Sequence, residues 1–203
     1  MSFLRKAGLG AGALMGGGAV LSAFAPSALA AGKGRPPASF GKGDVGVLNY
    51  ALTLEYLEAT FYKEAVANIK FSDPHLEALA RKIASDEKAH VAFLRGALAS
   101  HAVKKPNFNF GATVTDEAKF AATSQVLENT GVGAYFGQAF NIAKPQDLAA
   151  AVSILTVEAR HAGAIGYYND MTAKAISPSG AFDKPLTAAA VLTAVKGTGF
   201  IVS

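Results

Sequence analysis

The sequence predicts an all-α fold: a four-helix bundle with one long crossover between helices 2 and 3, and a short C-terminal helix. Three observations predict it. Apolar residues recur at three- and four-residue steps through four long segments, while the two-residue alternation of strands is scarce. Helix start signals open the segments: Asp44, Ser72-Asp73-Pro74, Thr115-Asp116-Glu117 and Pro145. Between the second and third lie residues 102–114, with Lys-Lys-Pro-Asn-Phe-Asn-Phe-Gly, which is extended loop material.

In chain order, Met1 to Ala30 reads as an export signal. Arg5 and Lys6 supply a basic start, residues 7–25 form an uncharged apolar run rich in Gly, and Ala28-Leu29-Ala30 offers a small-x-small cleavage pattern. The competing reading, a membrane anchor, is disfavoured by the shortness and Gly content of that run. Phe3-Leu4-Arg5-Lys6 resembles the part of a twin-arginine export signal that follows the arginine pair, and the pair itself is absent. Residues 31–43, rich in Gly, Pro and Lys, are expected to form a flexible leader.

The bundle is expected over residues 44–176. Its first helix runs from an N-capping Asp44 to about Ile69, with Val45, Leu48, Leu52, Tyr56, Ala59 and Tyr62 or Lys63 on one face. The second starts at Pro74 behind Asp73 and carries Leu76, Leu79, Ile83, His90, Phe93, Leu94 and Leu98 to about His101. The third runs from Thr115 to about Ile142, and the fourth from Pro145 to about Ile176, before Ser-Pro-Ser-Gly. Residues 177–203 form a C-terminal extension with a short helix, about Thr187 to Lys196, and a Gly-rich tail.

The 203 residues suffice for one domain with a sizeable core. The formal charge of +4 falls to +2 without Arg5 and Lys6, too weak and scattered for a nucleic-acid protein. There is no Cys, which excludes a disulfide framework, a thiolate-bound iron centre and a cysteine nucleophile. After the export signal, no stretch has enough consecutive apolar residues to span a bilayer.

One pattern occurs twice. Glu55, Tyr62, Glu87 and His90 recur in order as Glu128, Tyr135, Glu158 and His161. Each half has a Glu followed seven residues later by a Tyr, and a Glu-x-x-His about thirty residues after that Glu. In an antiparallel helix pair, residues equidistant from the turn lie at one height. The midpoint of Glu55 and Glu87 is residue 71 and that of Glu128 and Glu158 is residue 143, each inside an expected turn. A helix of about 27 residues is about 40 Å long. The thirteen residues of 102–114 reach at most roughly 43–47 Å, enough to run the bundle's length and set the hairpins side by side.

Residues three apart share a helix face, so Glu87 pairs with His90 and Glu158 with His161. Facing hairpins would converge four Glu and two His on the core, the ligand set of a di-iron or di-manganese site. Two divalent cations would offset the charge of four buried carboxylates, which are very costly alone. The repeat selects Glu55 over Glu58, since only Glu55 has its Tyr seven residues on; Glu58 is a rim residue that could add a ligand. Tyr62 and Tyr135 are core aromatics placed to hydrogen-bond a ligand carboxylate. Gly131, Gly133 and Gly137 point to close helix packing, or to a channel or distortion beside Glu128.

These stretches resemble the ferritin-like superfamily, and most closely its exported branch related to plant desiccation-response proteins. The resemblance rests on Leu-Asn-Tyr-Ala-Leu-Thr-Leu-Glu-Tyr-Leu-Glu-Ala-Thr-Phe-Tyr from Leu48, Asp-Glu-Lys-Ala-His from Asp86 and Val-Glu-Ala-Arg-His from Val157. It covers about residues 44–175. It implies Glu55, Glu87, His90, Glu128, Glu158 and His161 as ligands of two divalent metal ions, Fe or Mn. It also implies redox chemistry on peroxide or on Fe(II) and O₂; a homo-oligomer is expected, and the export signal directs the protein to the periplasm, cell envelope or exterior. The absence of Cys departs from rubrerythrin-type peroxidases, whose cysteine-bound iron supplies electrons. A non-enzymatic stress-protection or assembly role, and iron sequestration in a cage, are the alternatives.

Overall fold

A computed structural model describes residues 34–202. Four long helices form two hairpins: α1 (Gly43–Asn68) with α2 (Pro74–Leu98), and α3 (Glu117–Ala139) with α4 (Pro145–Asp170). α1 packs against α3 and α2 against α4, so the hairpins lie side by side, joined by the crossover after α2. α5 (Ala173–Ile176) and α6 (Ala188–Thr198) follow. On length and composition α4 could cross a membrane, but its buried face carries Glu158 and His161 into the bundle, as a core helix does.

Two apolar clusters fill the bundle. One includes Phe61, Tyr62, Leu76, Ile83, Phe110, Phe120, Leu127 and Ile165. Phe61 stacks on Phe120 there, with ring centroids 5.4 Å apart. The other includes Val47, Leu48, Leu52, Tyr56, Leu94, Leu98, Tyr135 and Ile154. The repeated Glu and His residues sit at the level between them.

Reciprocal acid staples join the hairpins. The Asp44 carboxylate accepts from the N–H groups of Ala143 and Lys144, in the α3–α4 turn, at 2.9 Å each. The Glu117 carboxylate accepts from the N–H groups of Ser72 and Asp73, in the α1–α2 turn, at 2.9 and 3.1 Å. Asp44 therefore does not cap its own helix as expected; Lys42 occupies the cap position, and the acid completes the turn of the other hairpin. Asp73 and Asp116 do cap locally, accepting from the N–H groups of His75 and Lys119.

Four other expectations change. The fourth helix ends at Asp170, because Met171 turns left-handed (φ 53°) and its N–H closes on Tyr167 O. α5 then folds back onto α4, where Gly163 and Gly166 leave room for the α5 backbone; a Cβ on Gly166 would lie 2.4 Å from Ala175 O. The second helix stops at Leu98, and residues 99–101 tighten into a 3₁₀ turn. The third ends at Ala139, before the expected Ile142. Residues 34–42, expected within a flexible leader, are tied to the bundle: Gln138 Nε2 and Ala188 N donate to Gly34 O, and Asn49 Nδ2 donates to Phe40 O. Residues 1–33, with the expected export signal, lie outside the described residues.

The extension docks rather than trails. Asn107–Phe108 (β1) of the crossover pairs antiparallel with Ile201–Val202 (β2) of the tail. Leu186 N donates to Gly133 O at 2.8 Å, and Leu186 lies so close that a Cβ on Gly137 would sit 1.8 Å from its carbonyl oxygen. Gly133 and Gly137 thus serve close packing, against the extension rather than a bundle helix.

Candidate metal centre

The four helices each place one Glu of the repeat in the core: Glu55 from α1, Glu87 from α2, Glu128 from α3 and Glu158 from α4, all fully buried. One turn beyond Glu87 and Glu158, His90 and His161 turn inward. His90 Nδ1 lies 3.2 Å from Glu55 Oε2, 3.4 Å from Glu87 Oε2 and 3.2 Å from Glu158 Oε1. His161 Nδ1 lies 3.2 Å from Glu87 Oε1 and 3.3 Å from Glu128 Oε2. Two donor groups result, each able to hold a metal ion: Glu55, Glu87, His90 and Glu158; and Glu87, Glu128, Glu158 and His161.

The surrounding side chains tie up the other atoms of these residues and leave the inward ones bare. Tyr62 of α1 donates to Glu128 Oε1, and Tyr135 of α3 donates to Glu55 Oε1, both at 2.5 Å. Each Tyr therefore holds the Glu of the other hairpin rather than its own. His161 Nε2 lies 3.0 Å from Asp86 Oδ2, and Lys82 Nζ donates to the same carboxylate. This partner holds Nε2 on the outer side and leaves Nδ1 facing the carboxylates of Glu87 and Glu128. Left without hydrogen-bond partners are Glu55 Oε2, both oxygens of Glu87 and Glu158, Glu128 Oε2, and Nδ1 of both His. Buried polar atoms are ordinarily satisfied, so eight such atoms gathered in one core make a cluster compatible with metal binding.

The charges agree. Burial, with the neighbouring carboxylates, raises Glu128, raises Glu158 well above the usual range, and raises Glu55 to about 8. Burial acts the same way on Glu87, but the adjacent His161 and His90 outweigh it and bring that group to about 2. Burial lowers both imidazoles, yet the surrounding carboxylates outweigh it, raising His90 to about 12 and His161 to about 11. Burial and the facing Glu128 and Glu55 charges keep Tyr62 and Tyr135 protonated donors.

Glu58 is buried but stands outside both donor groups. It breaks the repeat: Gly131 occupies the matching position in α3. A Cβ there would lie 2.9 Å from Glu158 Oε2 and 3.4 Å from Glu58 Oε1, so the bare backbone makes room for both carboxyls. Burial, then Glu158 and Glu128, raises Glu58 well above its usual range. Asp86 is a second break, matched by Val157, so His161 has a carboxylate partner that His90 lacks. The repeat spacing does not single out Asp86; the signal in the sequence is the acid directly before Glu87 in Asp-Glu-Lys-Ala-His. Outside the imidazoles lies a solvent-open cavity of about 380 Å³, lined by Lys82, Asp86, His90, Arg160 and His161 among others.

Paired helical hairpins with a buried carboxylate–imidazole cluster define a bundle protein whose core is compatible with metal binding. The chain belongs to the ferritin-like domain family, which matches residues 43–169, from the start of α1 to the end of α4. The extension lies outside that match. No curated protein matches the chain.

Proposed function

We propose that the chain binds two divalent ions, iron or manganese, through Glu55, Glu87, His90, Glu128, Glu158 and His161, and that the loaded centre consumes hydrogen peroxide. The partition of the bare donor atoms supports this reading. Four gather at His90 and four at His161, with Glu87 and Glu158 giving one oxygen to each side. Four carboxylates, two neutral imidazoles and two divalent ions sum to zero charge, which removes the main cost of burying them.

When bound, such a pair of ions supplies a two-electron redox capacity suited to peroxide or O₂. The chain's own residues provide the rest. Tyr62 and Tyr135 hold Glu128 and Glu55 with Oε2 presented inward. Asp86 orients His161. Glu58, beside Glu158 over Gly131, can hold a proton exchanged with substrate. Peroxide is favoured because its disproportionation, 2 H₂O₂ → 2 H₂O + O₂, draws no electrons from outside, and a chain without Cys has no thiolate-bound iron to relay them. The reading includes export by residues 1–30 to the periplasm, cell envelope or exterior. It also includes self-association, for which the exposed Phe93, Val126, Phe140 and Val152 offer apolar surface.

The test is metal analysis of protein from its own compartment, followed by a peroxide-consumption assay. Two ions per chain with O₂ release support the proposal. Metal-free protein, with stability unchanged by Glu87→Ala plus Glu158→Ala, refutes it and leaves a structural or assembly role.

A further inference from the structure

The two breaks in the repeat lie on opposite sides of the donor cluster. Asp86 stands with the imidazoles beside the large open cavity. Glu58 and Gly131 stand on the other side, between α1 and α3. There a second cavity is lined by Leu54, Leu57, Glu58, Leu127, Thr130, Gly131 and Val195. It leaves about 10 Å³ in which the centre of a water-sized molecule can move, room for a single small molecule. Its walls are mostly apolar, and its one carboxyl is Glu58. On the same side of Gly131, where a Cβ would project, lies Glu158 Oε2, one of the bare donor atoms, next to Glu58 Oε1.

Val195 lines this cavity from α6, in the extension beyond the family match. Its position is held on both sides of the helix. Upstream, Leu186 N bonds Gly133 O and Ala188 N bonds Gly34 O; downstream, Asn109 N bonds Phe200 O and β2 pairs with β1. Val195 itself is buried, as are Val191 and Ala188 on the same face.

From this we infer that the cavity between Val195 and Glu58 is the entry site for a neutral oxidant of two heavy atoms, hydrogen peroxide, and that Val195 sets the size limit. Apolar walls reject an ion, whose desolvation they do not repay. The volume rejects an alkyl hydroperoxide. The Glu58 carboxyl offers a hydrogen-bond partner in the wall. The inference rests on the peroxide reading above, and adds that the extension, rather than the bundle alone, selects the substrate.

The experiment compares the full-length metal-loaded protein with Val195→Phe and Val195→Ala, using hydrogen peroxide and tert-butyl hydroperoxide as probes. Metal content and melting temperature are measured for each. Val195→Phe is expected to lower kcat/KM for hydrogen peroxide about tenfold, and Val195→Ala to raise that for tert-butyl hydroperoxide about tenfold. A readout independent of metal is xenon binding in crystals of the metal-free protein. Val195→Ala should hold xenon against Leu57 and Leu127, and Val195→Phe should hold none. An active wild type with Val195→Phe equally active and normally loaded overturns the entry role, as does xenon absent from this cavity in Val195→Ala. A metal-loaded wild type that consumes no peroxide instead overturns the proposed function, and the entry role with it.

Discussion

Gly137→Ala separates intrinsic helix propensity from packing, because the two predict opposite signs. In an unobstructed helix, Gly to Ala stabilises by about 1 kcal/mol. At position 137 the added Cβ would meet Leu186 O at 1.8 Å, Leu186 C at 2.8 Å and Leu186 N at 3.0 Å. All three atoms are backbone, so no rotamer change relieves the clash. To restore even a 3.0 Å approach, the extension must retreat by about 1.2 Å. That retreat breaks the 2.8 Å bond from Leu186 N to Gly133 O, worth about 1 kcal/mol. It also lifts the Leu186 side chain off Gly133, at about 1–2 kcal/mol. Less the propensity gain, the net destabilisation is about 1–2 kcal/mol, or a melting temperature lower by roughly 2–8 °C for a chain of this size. Thermal unfolding followed by circular dichroism measures it, and limited proteolysis of the exposed residues 177–184 reports release of the extension. Gly96→Ala is the control, since nothing lies within 4 Å of its added Cβ. A Gly137→Ala protein melting at or above wild type, like that control, would refute the packing account.

Metal loading at pH 7 should release protons. Both imidazoles of the metal-free protein have pKa values raised far above 7, to about 12 and 11, so each must lose a proton before Nδ1 can bind an ion. Affinity therefore falls as pH falls; calorimetry in buffers of different ionisation enthalpy counts the protons, and a count of zero contradicts this. Asp86→Asn should weaken one ion of the pair by about 10–100-fold, through His161, and leave the other near wild type; a titration that stays single-step and unshifted counts against the asymmetry. Tyr62→Phe strips the donor from Glu128 Oε1 in a fully buried site. It should destabilise the metal-free protein by about 1–3 kcal/mol, read from denaturant midpoints.

The helices and their common level were legible because local chemistry marks where they start and the repeat marks their height. Asp73, Asp116 and Pro145 open helices where their sequence context predicts. The repeat prefers Glu55 over Glu58; in the structure Glu55 stands in a donor group and Glu58 outside both. Helix ends were less legible. Met171 breaks α4 in a left-handed conformation that its side chain does not advertise, and the cause is α5 packing on Gly163 and Gly166. Asp44 resembles a local cap, yet its partners are about a hundred residues away. The crossed tyrosines were hidden for the same reason: spacing places Tyr62 and Glu55 on one face of α1, but it does not say which hairpin's Glu the hydroxyl reaches. The extension carries no motif, and its role follows from what it rests on.

The staples at Asp44 and Glu117 also bear on how the chain folds. Each acid sits in the first turn of one hairpin and satisfies turn amides of the other. A hairpin formed alone gives those bonds up to water, so neither half gains its full stability before they dock. Half-folded species are penalised from both sides, which favours an all-or-none transition. Amide exchange at residues 72, 73, 143 and 144 should then proceed at matched free energies, the turns of the two hairpins opening as one.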